Sequence, residues 1–287
     1  MNTDITALYV CLEEFASMYQ EWEKKQLLPS CKQRHRHGRM TLGERLTILI
    51  FFYISPCKNF KNYYINYLAK FYKNEFPQLI SYSRFIQTMP HLFAPLCVLL
   101  HCLKGERTGH YIVDSTHIPV CHNKRINRHK VFKGLAQRGK TTMGWFFGFK
   151  LHVVINNKGE VMAIKITGGN VSDRSVLKDL VKNLFGKIYA DKGYISKKLF
   201  KELWRKGLHI ITGIRKNMKN YLMPMIDKIN LRKRFKIETF FSQLKEKYNL
   251  VHSRHRSQSN FFVHVFAIIA AAQINSRKQN MVELIQN

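Results

Sequence analysis

The chain has 287 residues, of which 45% are hydrophobic, enough apolar content to bury a core and too much for a disordered polyelectrolyte. Lys and Arg total 48 against 18 Asp and Glu, a formal charge of +30. That balance excludes cationic partners and points to a polyanion, best a long nucleic acid that can be met at many phosphates at once.

Residues 1 to about 105 read as helices. Leu8, Leu12, Phe15, Tyr19 and Trp22 fall at three- and four-residue spacing on one apolar face, with Thr3 or Asp4 as the cap. After the basic link from Lys32 to Gly38, Thr41 and Glu44 form a capping box. It opens a helix that runs through Ile54 and stops at Ser55-Pro56. Further helices are expected over roughly 58–74 and 91–103. Between them, the stretch 81–88 reads either as the start of a recognition helix in a helix-turn-helix or as a plain packing helix.

From about 108 the pattern changes to strands. Tyr111-Ile112-Val113 runs straight into Asp114, a residue depleted in strands because its carboxylate resists burial. A very basic segment follows, and then Trp145 to Ile155, the turn Asn156-Asn157-Lys158-Gly159 and Glu160 to Ile166, a hairpin signal. Ser172-Asp173 caps a helix carrying Val176, Leu177, Leu180, Val181 and Leu184. Ile188-Tyr189-Ala190 repeats the earlier anomaly by leading into Asp191, with Gly193 expected to allow the turn that ends the strand. A helix over about 196–206, a strand from His209 to Ile214 and a helix over about 230–247 complete the order β-β-β-α-β-α-β-α. That order predicts an α/β fold, an RNase H-like mixed sheet preceded by an all-α N-terminal region. The expected divisions are 1–105 for helical DNA binding, 106–275 for the catalytic domain and 276–287 for a tail. The apolar run Phe261 to Ile274, interrupted by His264, reads as a buried helix shorter than a membrane span.

Two strands that each end near an aspartate suggest a shared metal site above the sheet. On the last helix, Arg234 lies four residues before Glu238 and Lys245 seven after it, so all three share a face. With the two aspartates, Glu238 completes a set of three oxygen ligands suited to Mg²⁺ or Mn²⁺. Two such ions can serve the attacking and leaving oxygens of a phosphodiester displacement, with Arg234 and Lys245 holding phosphates.

The wording of these motifs, VDSTHIPVCHNKRINRHKVFKG, MGWFFGFKLHVVINNKGE, GNVSDR, ADKGYISKKLF, IETFFSQLK and HSRHRS, resembles the DDE transposases of bacterial insertion sequences, closest to the insertion-sequence 982 family. The resemblance runs from about 108 to 275 and matches the three acidic positions at Asp114, Asp191 and Glu238. A Tyr-Arg-Glu-Lys signature matches at Arg234, Glu238 and Lys245, with Leu231 in the tyrosine position. It implies hydrolysis at transposon ends to free a 3′-hydroxyl, transfer of that hydroxyl to target DNA, two divalent ions, terminal inverted repeats as partner and a homodimer on DNA. A nuclease without strand transfer, or an inactive DNA-binding regulator, are the other readings.

Arg128, Lys130 and Lys133 read as phosphate contacts near the Asp114 strand, and Arg254 and Arg256 as a further backbone contact. Trp145 reads as core, with stacking on an unpaired base as the other reading, and Asp173 as the first-turn acid of its helix, with an approach to the metals as its other reading. Cys31, His35 and His37, and likewise His117, Cys121 and His122, lack paired zinc-ligand spacing. The six cysteines form no C-x-x-C pair and the first residues lack a secretory pattern, so a reducing cytoplasm is expected, which the resemblance implies is that of a prokaryote.

Overall fold

Local capping sets the first helices. Asp4 accepts from Thr6 N at 2.9 Å and starts α1 (Ile5–Gln26), whose Leu8, Leu12, Phe15 and Tyr19 are buried; Trp22, expected on the same face, is half exposed. Thr41 and Glu44 close the capping box on α2 (Leu42–Ile54), which ends at Ser55 as its proline dictates. Then come α3 (Phe60–Asn62), a π segment (Tyr63–Leu68), α4 (Ala69–Phe71), α5 (Tyr82–Thr88) and α6 (Phe93–Cys102). The computed structural model describes residues 4–26, 38–142, 144–214, 218, 222–251 and 255–285, the stretch 278–285 as backbone alone. Cys31, His35, His37 and Arg254 lie outside the described residues.

The chain forms two compact units, 1–103 with 255–287, and 104–254. In the first, α11 (Gln258–Ile285) packs on α2 and α6, and His264 Nδ1 meets Tyr53 Oη at 2.8 Å in the interior. Residues 255–275 therefore group with the N-terminal helices and not with the expected catalytic stretch. An apolar helix can be covered by either unit, and composition alone does not choose between them. The stretch Gln258–Arg277 is also long enough to cross a bilayer, as is Tyr82–Cys102; 61% of the former is buried inside the protein.

The second unit is built on a mixed sheet of six strands: β1 (His110–Cys121), β2 (Gln137–Thr141), β3 (Gly144–Asn156), β4 (Val161–Gly168), β5 (Gly186–Ala190) and β6 (Leu208–Thr212). β1 pairs antiparallel with β3 and parallel with β5, and β5 pairs parallel with β6. The far edge of β3 is shared, its first residues pairing with β2 and the rest with β4. Gly159, at φ 91°, makes the β3–β4 hairpin turn. β2 and a 3₁₀ turn at Asn123–Arg128 lie inside the segment that reads from sequence only as basic. One face of the sheet is covered by α7 (Asp173–Leu180) and α8 (Lys197–Trp204), whose Leu177, Leu180, Leu199 and Leu203 close a core with Tyr111, Val113 and Ile188.

The expected helix over 230–247 is two helices, α9 (Met225–Arg232) and α10 (Phe235–Glu246). Their position is fixed by Asp227, which is buried. Lys187 Nζ donates to both Asp227 oxygens at 2.9 Å, and Tyr189 Oη donates at 3.0 Å. Lys236 Nζ then ties the start of α10 to Asn157 O at 2.7 Å. Asp227→Ala leaves Lys187 and Tyr189 without their acceptor, and an expected loss of about 2–3 kcal/mol should appear as a lower urea midpoint at unchanged m-value.

Candidate active site

Pairing between β1 and β5 runs His110 with Lys187, Tyr111 with Ile188 and Ile112 with Tyr189. Asp114 and Asp191 each follow the last of these pairs by two residues. Both carboxylates thus sit where two parallel strands part. Asp191 occupies the cap position of a 3₁₀ turn (Lys192–Tyr194), yet its side chain makes no capping bond. The turn itself ends the strand; Gly193 does not adopt the positive φ that its sequence context suggests.

Glu238 arrives from the first turn of α10, which places a third carboxylate over the same strand ends. Arg234, in the break between α9 and α10, joins the three. Its Nη2 lies 3.6 Å from Asp114 Oδ2 and 4.0 Å from Glu238 Oε1, and its Nη1 lies 3.5 Å from Asp191 Oδ1. The arginine that sequence reading gives to a phosphate is here the counter-ion of three acids. The helix break makes this possible, because it frees Arg234 from the cylinder of a continuous helix.

Asp114 is the most buried of the three acids. Burial pushes its carboxyl up to about 6, against the lowering effects of the Ser115 amide and of Arg234. The Ser115 N–H donates to Asp114 Oδ1 at 2.8 Å, and Ser115 Oγ donates to Asp173 Oδ1 at 3.0 Å. Asp173 is met in turn by Lys150 Nζ at 3.4 Å and His152 Nδ1 at 3.6 Å. Burial pulls His152 down to about 4, so the ring is neutral at pH 7. Its Nε2 contacts Thr167 Oγ1 at 2.9 Å.

Sequence reading weighs an approach of Asp173 to the metals but prefers a helix-terminus role, and it overlooks Ser115, Lys150 and His152. The usable signal is in β3, where Lys150 and His152 are polar residues in an otherwise apolar run; in β1, Ser115 lies in a polar stretch, Asp114 to His117, that gives no such contrast. Tyr194 is a second omission. It is buried beside Asp173 and Asp114, which burial and their charge make very hard to deprotonate, and its hydroxyl has no hydrogen-bond partner among the described residues.

The other expected contacts are more dispersed. Lys245 is on α10, half-buried, with its charge reaching His117 on β1. Arg128, Lys130 and Lys133 are exposed on the segment after β1, which Phe132 anchors by an edge contact with Phe149 at 5.5 Å. Arg256 is exposed in the other unit.

Asp114, Asp191, Glu238 and Asp173 meet two cations directly, Arg234 and Lys150, an acidic cluster inside a strongly basic chain. Among the described residues no three acids, His or Cys close directly into a metal-holding group, because the guanidinium stands between them. The donor set, all carboxylate oxygens on separate elements around an existing positive charge, fits a hard divalent ion.

The profile of a family described as transposase DDE domain matches residues 104–258. A solved structure titled as the cryo-EM structure of piggyBac transposase synaptic complex with hairpin DNA is similar over 92% of this chain and 71% of that chain, at 11% identity and a TM-score of 0.48. No curated protein matches the sequence.

Because the Asp114 carboxyl is raised on folding, the protein is stabilised by its protonated form below about pH 4 and loses that stability as pH rises through about 6. In metal-free buffer, Asp114→Asn is therefore expected to gain about 1–3 kcal/mol relative to the parent between these limits. Urea titrations at pH 4 and pH 8 measure it; an equal difference at both values rules out the burial strain.

Proposed function

The chain belongs to the transposase DDE domain family, and from that premise we propose that it is a DNA transposase of a bacterial insertion sequence, similar to the insertion-sequence 982 family. The observation that carries the reading is the meeting of Asp114, Asp191 and Glu238 around Arg234. What supports an RNase H-like catalytic domain is a sheet of order β2-β3-β1-β5-β6, with β4 also paired to β3, in which β1, β5 and β6 are parallel and an acid follows each of the two central parallel segments.

Asp114, Asp191 and Glu238 would hold Mg²⁺ or Mn²⁺, two ions in the full reaction, which when bound polarise the scissile phosphate and activate the attacking oxygen. The protein's own groups orient the reaction. Asp173 and Ser115 fix the Asp114 carboxylate, and Arg234 offsets acid repulsion before DNA arrives. Lys245, Arg128, Lys130, Lys133, Arg254 and Arg256 take backbone phosphates.

Water first breaks the phosphodiester at each transposon end, leaving a 3′-hydroxyl and a 5′-phosphate. That hydroxyl then attacks a target phosphodiester, forming one ester as another breaks and releasing a target 3′-hydroxyl, so no nucleotide cofactor is consumed. Acting on two ends calls for a homodimer on terminal inverted repeats, in a prokaryotic cytoplasm.

Strand cleavage and joining on a duplex carrying the repeats that flank the gene tests this reading. With Mg²⁺ or Mn²⁺, nicks at the repeat boundary and joined products are expected, and Asp191→Asn should lose both by more than about 100-fold while still binding DNA. Cleavage that survives in the variant removes Asp191 from the site. DNA binding without metal-dependent chemistry in the parent overturns the enzyme reading, and nicking without joining favours a nuclease. If six to ten phosphates are contacted, affinity should fall about 10³–10⁵-fold between 50 and 200 mM salt.

A further inference from the structure

Trp145 reads from sequence as core, but its side chain is 61% exposed. Lys140, its direct partner across the β2–β3 ladder, holds Nζ 5.8 Å from the ring centroid. Asn123 Nδ2 donates to Trp145 O at 2.7 Å and brings Lys124 and Arg125, both exposed, to the same end of β3. No acidic residue occurs between Ser115 and Gly159, so nothing in this stretch opposes those cations. Trp204, by contrast, is also half exposed but is stacked by His209 at 3.8 Å and by Phe200 at 5.6 Å.

Strand alternation places Trp145 relative to the carboxylates. Val153 pairs with Asp114, and paired residues share a face of the sheet. Counting back by twos gives Leu151, Phe149, Phe147 and Trp145 on that face. Eight residues of strand separate Trp145 from Val153, about 27 Å, or roughly eight nucleotide steps along a duplex strand.

We propose that Trp145 is a stacking platform for an unpaired DNA base, with Lys140, Lys124 and Arg125 receiving the phosphates beside it. A flat exposed indole with a cation at its face and single-sign surroundings matches a base joined to phosphates. Another copy of this chain, carrying the same +30 charge, is a poor electrostatic match. The proposal rests on the DNA reading above and adds a site for an unpaired base to it.

The test uses the full chain and two probes of equal length without repeat sequence, a duplex and the same duplex with one nucleotide missing opposite 2-aminopurine. The parent should bind the gapped probe more tightly and quench its fluorescence. Trp145→Ala should lose the quenching and about tenfold in affinity for the gapped probe, with duplex affinity held within about twofold; Trp145→Phe should keep most of both. An unchanged melting temperature is expected, because the ring is largely outside the core, and it separates lost stacking from lost folding. Equal quenching and equal gapped-probe affinity in parent and Trp145→Ala overturn the platform while leaving the DNA reading intact. Failure of the parent to bind either probe overturns both.

Discussion

The centre of the catalytic unit depends on one guanidinium shared by three carboxylates. Asp114 comes from a strand, Asp191 from the residue after another strand and Glu238 from a helix, and each lies within 4.0 Å of Arg234. Without a cation, acids this close would raise one another's pKa values and press the strand ends and helix apart. Arg234 removes that repulsion in the protein alone. It does so with ion pairs longer than good hydrogen bonds, a loose arrangement that holds the acids near one another without fully satisfying them.

The desolvation of Asp114 is the main cost in this arrangement, and the layer beneath it keeps that carboxylate in one orientation. The chain from Lys150 and His152 through Asp173 and Ser115 to Asp114 crosses from β3 through α7 to β1. Neutral His152 allows this layer to pack without adding a further buried charge. On the opposite side, Asp227 locks α9 to β5 through Lys187 and Tyr189, and so fixes where the break before α10 delivers Arg234. Asp173, partly exposed, and Asp227, buried, thus set the site from beneath and from the side, although neither belongs to the three acids.

Much of the scaffold was legible in the sequence because local chemistry decides it. The Thr41–Glu44 box, the Asn-Lys-Gly hairpin and the aspartates after two β-forming runs need only neighbours along the chain to act. What escaped depends on partners distant in sequence. The strand Gln137–Thr141 has no apolar alternation and exists because β3 offers it a backbone edge. The break at Lys233-Arg234 has no local breaker residue, and Arg234 there meets Asp114 and Asp191, acids far away in the sequence. Asp173 carried a sufficient local explanation as a helix-terminus acid, which hid its bond to Ser115. Trp145 was misread because hydrophobicity was taken for burial, whereas the free end of an edge hairpin leaves a large ring in solvent.

The charge map makes the last step of the argument. A chain of formal charge +30 attracts DNA everywhere, so general attraction cannot select where a phosphate reacts. Selection requires a place where approach is conditional. The site supplies one, with Asp114, Asp191 and Glu238 gathered around Arg234 at the strand ends. On the proposed reading a phosphate would meet those acids only with further positive charge beside it, while lysines and arginines elsewhere would hold the rest of the backbone. On the proposed transposase reading, binding and reactivity would thereby be separated in one unit: the basic surface would take DNA without regard to chemistry, and the acidic centre would admit a phosphate only together with divalent cations.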